Sequence, residues 1–225
     1  MKQSILLVII CMLASVANGN ENFYMGRFVG VGVRTQSAQS LNNALKSEGL
    51  AKIDPIVATF NIGATGVKDA FVFNWNLNSF ASHNKDNVNL TFLRGWGVSL
   101  DFGRQIWGND KMSLYPYFGL SYMQSFLKTQ QTTNANSFGA VYQQQLVERS
   151  FTNNGELDAA LGLAYRVKLG KRDMLEIGGG YHFPLLRSKW RYIDEKIDFP
   201  KLDCRGWVIG ITWIKYRTKK STDSK

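Results

Sequence analysis

The strongest constraint on the fold is a period-two alternation that runs through most of the chain. Large apolar side chains recur at every second position, with small or polar residues between them. The sharpest run places Phe71, Phe73, Trp75 and Leu77 on one side and three asparagines on the other. Because a pleated strand sends successive side chains to opposite faces, this pattern predicts an all-β chain.

Eight segments carry this alternation, and together they span most of the chain after its N-terminus. They lie at about 23–34, 56–65, 71–78, 88–102, 114–122, 157–167, 175–183 and 207–213. Only Leu93 and Arg94 interrupt the pattern in the fourth segment. Segments of this length, separated by turn residues, are typical of antiparallel strands joined in chain order.

The small and polar residues of these segments form one face of each strand, which we call the small face. The composition of this face distinguishes between two classes of β protein. A soluble sandwich would bury the large residues, whereas a membrane barrel turns them toward lipid. Glycine has no side chain that could pack against neighbouring residues in a strand, but it suits the crowded interior of a narrow closed barrel. The glycines opposite the large residues are Gly26, Gly30, Gly32, Gly63, Gly95, Gly97, Gly119, Gly162, Gly178, Gly180 and Gly210. We therefore expect a transmembrane antiparallel up-and-down β-barrel of about eight strands.

The N-terminus has the features of a secretory signal peptide. Lys2 supplies a positive charge, and the run from Ile5 to Leu13 is apolar but shorter than the roughly 20 residues of a membrane helix. Small residues at Ala17 and Gly19 suit cleavage. An uncleaved anchor helix is the alternative, but no charged stop-transfer pattern follows.

These features divide the chain into three parts. We expect residues 1–19 to be the signal peptide, 20–218 the outer-membrane barrel and 219–225 a polar tail. Cys11 is a poor lipidation site because the large Ile10 precedes it. After removal of the signal peptide only Cys204 remains, so no disulfide can form within the mature chain.

The connections between the predicted strands alternate in length. The first, fifth and seventh are long, whereas the second, fourth and sixth are short; the third is brief. The long ones are 35–55, 128–155 and 187–205, the short ones 67–69, 107–111 and 170–173, and the third is 82–87. In outer-membrane barrels the odd connections lie outside the cell and the even ones are periplasmic turns.

The pattern from Phe23 to Tyr216 resembles the small eight-stranded outer-membrane barrels of Gram-negative bacteria, of the OmpA-barrel, OmpX and OmpW type and their Bacteroidetes versions. The last strand resembles theirs in being rich in aromatic and branched residues: Trp207, Ile209, Ile211, Trp213 and Tyr216. This resemblance implies a cell outer membrane location and assembly by the barrel-assembly machinery. Here a polar tail from Arg217 to Lys225 follows the strand, unlike the usual chain-terminal signal.

Charged residues on the small face predict a polar network inside the barrel. By parity this set comprises Asp101, Asp158, Arg166, Glu176 and His182. A charge removed from water must be paired, so these groups are expected to bond to one another and fill the lumen. An eight-stranded barrel is only wide enough for its own side chains, which disfavours a wide pore. A narrow or gated conduit for small solutes is the alternative.

Other features concern the membrane interface and the outer loops. We predict an interfacial aromatic girdle of Trp107, Tyr115, Trp190, Trp207 and Trp213. A short helix is predicted in the first outer loop, with Ser40 as N-cap, Leu41, Ala44 and Leu45 on one face, and Gly49 as its end. Residues 141–147 could extend the strands above the membrane.

The residues favour a structural or surface-binding role, exerted through the outer loops, over catalysis. No nucleophile elbow, metal-ligand cluster or phosphate-binding glycine loop is present, so we predict no catalytic residues, metal or cofactor. A lipid-modifying enzyme is the alternative. Lipid A deacylases have a His-x-Ser motif, but after His182 the position of its serine is occupied by Pro184. The net charge of +10 comes from scattered basic residues, which argues against nucleic acid. The expected partners are outer-membrane lipid and lipopolysaccharide; the sequence identifies no extracellular ligand.

Overall fold

The structure is a computed structural model that describes residues 23–85, 89–109, 111–131, 148–192, 195–196 and 205–217. Within these ranges it has eight long strands, three short strands and one helix. The long strands are β1 (Phe23–Thr35), β2 (Ile56–Lys68), β3 (Phe71–Lys85), β4 (Asn89–Arg104), β6 (Met112–Gln131), β7 (Glu148–Lys168), β8 (Asp173–Leu186) and β11 (Gly206–Tyr216). The others are β5 (Trp107–Gly108), β9 (Trp190–Tyr192), β10 (Glu195–Lys196) and helix α1 (Gln39–Ser47).

The eight long strands close into a barrel. Each pairs antiparallel with the next long strand along the chain. The ring is completed between the first and the last, where Val31 lies opposite Ile211 on one side and Phe60 on the other. This confirms the predicted up-and-down barrel, and closure leaves none of the eight long strands with an open edge.

The predicted faces are confirmed. Large apolar residues of the alternating segments point outward and are exposed, for example Leu161, whose exposed fraction is 57%. The glycines face inward, where a side chain at Gly95 would overlap the Phe80 ring and one at Gly162 would overlap the Tyr117 ring. Inward aromatic rings thus occupy the space that the glycines leave free.

The two ends of the barrel differ in the length of their connections. At one end, the turn end, only residues 69–70 join β2 to β3 and residues 169–172 join β7 to β8. Both described chain ends lie there too, since the Arg217 N–H donates to the Met25 carbonyl at 2.9 Å. At the opposite end, the loop end, the long strands are separated along the chain by residues 36–55, 86–88, 132–147 and 187–205. The predicted long first, fifth and seventh connections and the brief third connection are confirmed.

Two predicted loops contain more strand than expected. Strand β6 continues to Gln131 and β7 begins at Glu148, so the predicted loop 128–155 is shortened from both sides. The predicted loop 187–205 contains β9, which pairs with β7 at Asn153 opposite Trp190. Residues 141–147, the signal peptide, Cys204 and the polar tail lie outside the described residues.

Helix α1 lies in the first loop, as predicted, but begins differently. Ser40 is not its N-cap; that position is Ala38, which makes no side-chain capping bond. The helix ends at a left-handed Gly49 (φ 69°), and the next N–H, that of Leu50, donates to the Leu45 carbonyl at 2.8 Å. None of the described helical residues forms a helix of the length and apolar character that a membrane crossing requires.

Candidate functional site

Apolar side chains cluster at the loop end of the barrel interior, and we call this cluster the apolar cover. Leu41 and Leu45 of α1 are completely buried there. They pack against residues of the wall and of the neighbouring loops: Ala38, Ile53, Val57, Phe80, Leu93, Met123, Leu127 and Trp190. Burying each leucine contributes about 1.5–3 kcal/mol, so the helix is held in the mouth of the barrel chiefly by its apolar face.

Leu93 and Arg94, which interrupt the alternation in the sequence, keep to the expected faces. Leu93 points inward, where the apolar cover needs a large side chain. Arg94 points outward and is exposed. The apparent break in the pattern therefore adds one large side chain to the apolar cover and one cation to the outer surface.

Amide side chains fasten the first loop over the apolar cover. The Asn42 side chain both donates to the Ile53 carbonyl at 2.9 Å and accepts from the Ile53 N–H at 2.7 Å. The Asn89 side chain of β4 donates to the Gly49 carbonyl at 2.6 Å, which ties the end of α1 to the wall. These bonds satisfy backbone groups that neither helix nor sheet pairs.

An ion pair crosses the interior directly below the apolar cover. Arg34 Nη2 of β1 lies 3.2 Å from Asp158 Oδ2 of β7, and both side chains are almost fully buried. Arg34 Nη1 also donates to the Met123 sulfur at 2.9 Å. Since β1 and β7 are not neighbours in the barrel, this pair braces opposite parts of the wall.

Asparagine, serine and aspartate side chains line the middle of the interior. Asn76 donates to Asp101 at 2.7 Å and to Ser99 at 3.0 Å, and Asn78 also donates to Ser99 at 3.0 Å. They border a cavity of about 140 Å³ that His182 also lines. Nδ1 of His182 is buried without a hydrogen-bond partner among the described residues. A polar cavity of this size has room for a few water molecules.

Arg166 organises the turn end of the interior. Its Nε lies 2.6 Å from Glu176 Oε2, and its other nitrogens donate to acceptors on three further strands. Those acceptors are Thr65 Oγ1 at 3.0 Å, Asn74 Oδ1 at 3.1 Å and Tyr216 Oη at 3.2 Å. Tyr115 donates to the same Glu176 carboxylate, and its ring lies beneath the guanidinium at 4.9 Å. We call these six residues the Arg166 cluster.

All five residues of the predicted lumenal network lie in the interior, but not in one network. The structure brings Arg166 and Glu176 together, whereas Asp158 pairs with Arg34 and Asp101 bonds to Asn76. Arg34 is not among the residues predicted for the network, although its alternation with the outward Val29, Val31 and Val33 places it on the inner face. The pairings themselves follow from which strands oppose each other across the closed barrel.

Two residues of the predicted girdle are not on the outer surface. Tyr115 is inward and buried in the Arg166 cluster, because it alternates with outward Leu114. Trp190 is fully buried in the apolar cover, since β9 folds back against β7. Trp107, Trp207 and Trp213 are exposed on the outside. Their position at a membrane interface stays a prediction.

The two histidines lie on opposite sides of the wall. His83 is outward, and its ring lies 4.6 Å from the Phe92 ring between centroids, while His182 faces the interior cavity. In the part of the chain that the structure describes, no three His, Cys, Asp or Glu side chains cluster in a way that could hold a metal ion.

No protein-family model and no curated protein matches the chain. Among solved structures, a major outer membrane protein of Thermus thermophilus is similar over 86% of this chain and 99% of that one, with 11% identity and a TM-score of 0.50. OprG of Pseudomonas aeruginosa (10% identity, 89% and 98% covered, TM-score 0.48) and neisserial surface protein A (9%, 88% and 99%, 0.45) are further matches. The likeness shows the fold, which is that of the small eight-stranded outer-membrane barrels.

Proposed function

We propose that this chain, with the fold of a small eight-stranded outer-membrane barrel, is an outer-membrane protein that is closed to diffusion. It acts as a structural element of the membrane and binds other molecules through its loop-end surface. The observation that supports the proposal is the packing of side chains inside the barrel. The apolar cover and the Arg166 cluster occupy its two ends, and the cavity between them is only about 140 Å³.

The outer surface supports the membrane location. Exposed leucine, isoleucine, valine and aromatic side chains surround the barrel, an arrangement that would aggregate in water but suits a hydrocarbon environment. Strands β6 and β7 have 20 and 21 residues, more than the roughly 9–11 that cross a bilayer, so their loop-end portions would stand above it. With periplasmic turns, the loop end faces the cell exterior.

The location is tested by fractionation. Heat-modifiable migration on a denaturing gel, after detergent extraction of outer membranes, should show a compact species that unfolds on boiling. Absence of the protein from that fraction would contradict the proposal.

The closed lumen is tested by conductance. Purified protein in planar bilayers should show no conductance above leak, and neither should Lys46→Gln, which changes an exposed residue of α1. The double variant Leu41→Ala and Leu45→Ala should loosen the apolar cover and give brief openings. Steady conductance by the wild-type barrel would favour the narrow conduit instead.

Catalysis is not part of the proposal. A lipid-modifying enzyme would need a base beside a nucleophile at the lipid surface, whereas His182 is enclosed in the interior and His83 lies against Phe92. Mass spectrometry of lipid A from cells with and without the gene should give identical spectra. A reproducible mass difference would restore the enzyme alternative.

A further inference from the structure

Arg94 is an exposed cation on the outer surface, at the boundary between an apolar patch toward the turn end and a more polar patch toward the loop end. Its strand neighbours on that face are Phe92 and Trp96, and its cross-strand neighbours are Ala81 and Phe126. Its guanidinium lies 5.7 Å from the centre of the Phe126 ring. Among the described residues no carboxylate lies within ion-pair distance of it. A charge on the lipid-facing surface is costly unless it lies near the interface or meets an anion there.

A groove of about 630 Å³ runs from Arg94 toward the turn end. Small residues on β2 and β3 form its floor, and large aromatic residues form its walls. The floor consists of Ala58, Ser79 and Ala81, and the walls of Phe60, Trp96 and Phe126. The cross-strand registers place Ala58, Ala81 and Arg94 in one row and Phe60, Ser79 and Trp96 in the next. A strip of small side chains between aromatic rings suits an extended hydrocarbon chain.

A second groove, of about 330 Å³, begins at the same arginine and runs toward the loop end. Its lining is more polar and includes Lys128, Gln130, Ser150 and Thr152. Lys128 lies opposite Phe92, so it is a diagonal cross-strand neighbour of Arg94, at a separation of about 7–8 Å. Lys128 also pairs with Glu148 at 2.8 Å, but both groups are about half exposed and can exchange partners.

We infer that these two grooves form a binding site for an acylated glycolipid that carries a phosphate, of the lipid A type. The phosphate binds between Arg94 and Lys128, an acyl chain lies in the groove toward the turn end, and the sugar contacts the polar groove above. In such a lipid the acyl chains lie in the membrane and the phosphates are carried on the sugar at the interface, which matches an apolar groove toward the turn end and cationic and polar groups toward the loop end. The inference rests on the proposed function, because it requires the loop end to face the outer leaflet.

Arg104 provides a matched control on the same strand. It is also outward and exposed, and its guanidinium lies 5.7 Å from the centre of the Phe71 ring. It is at the turn end, however, and lines neither groove. Arg94→Gln and Arg104→Gln therefore remove the same charge and the same kind of ring contact, and differ only in position.

Native mass spectrometry of the purified barrel in detergent tests the site. The probes are diphosphorylated lipid A, the same lipid without its phosphates, and phosphatidylglycerol. We expect the wild type to retain diphosphorylated lipid A in preference to the other two. Arg94→Gln should lower its affinity about tenfold, as expected for loss of a charge-assisted hydrogen bond. Arg94→Lys should keep part of the affinity, and Arg104→Gln should keep all of it.

Three results would overturn the inference: unchanged binding in Arg94→Gln, an equal loss in Arg104→Gln, or equal retention of the dephosphorylated lipid or of phosphatidylglycerol. Heat-modifiable migration of each variant from the outer-membrane fraction is measured in parallel. A well-assembled outer-membrane barrel without lipid A selectivity removes this site alone, whereas absence from that fraction removes the proposed function.

Discussion

Replacing Arg166 with glutamine should destabilise the barrel by about 3 kcal/mol. The change removes the ion pair to Glu176 and most of the bonds to Thr65, Asn74 and Tyr216. Breaking a buried pair typically costs about 3–5 kcal/mol, because one charge is left uncompensated. The lower value applies here, since the Glu176 side chain is 14% exposed and keeps the hydrogen bond from Tyr115.

The measurement is equilibrium urea unfolding of protein refolded into phospholipid vesicles, followed by tryptophan fluorescence and by gel migration. Glu176→Gln alone should cost a similar amount. The double variant should lose about 3 kcal/mol rather than the sum, because it leaves no unpaired charge; the coupling is then about 3 kcal/mol. Lys46→Gln, at an exposed position, should stay within about 0.5 kcal/mol of wild type. Additive losses in the double variant would refute the reasoning.

Two further predictions concern the two faces of the wall and use the same unfolding assay. Gly162→Ala should lower the free energy of unfolding by about 1–3 kcal/mol, because the new methyl group overlaps the Tyr117 ring. Gly178→Ala is the control, because its methyl group meets only ordinary contacts and should be nearly neutral. Equal costs at the two glycines would argue against the inward packing. Leu163→Arg, on the exposed outward face of β7, should cost about 2–4 kcal/mol in vesicles if it lies near the bilayer midplane. A change below about 0.5 kcal/mol would indicate a surface that faces water.

The alternation along each strand predicted the inner and outer faces well, and the wrong predictions came from other arguments. The girdle prediction for Tyr115 depends on its aromatic character, although its alternation with Leu114 places it inside. Trp190 lies in a segment without alternation, so no pattern could show that β9 folds back and buries it. Ser40 has the side chain of an N-cap, but the helix begins before it, with Ala38 at the N-cap position and no side-chain capping bond.

The sequence by itself determined the strands, their alternating faces, the alternation of turns and loops, and the helix in the first loop. These features depend on the backbone pleat and on turn chemistry, which act between residues close in the chain. The tertiary structure alone decided that Arg34 meets Asp158, that Arg166 reaches Thr65 and Asn74, and that α1 enters the barrel mouth. The Arg34 and Arg166 contacts join strands that are not neighbours in the ring, and α1 needs a formed mouth to enter, so all of them exist only once strand number and stagger have closed the barrel.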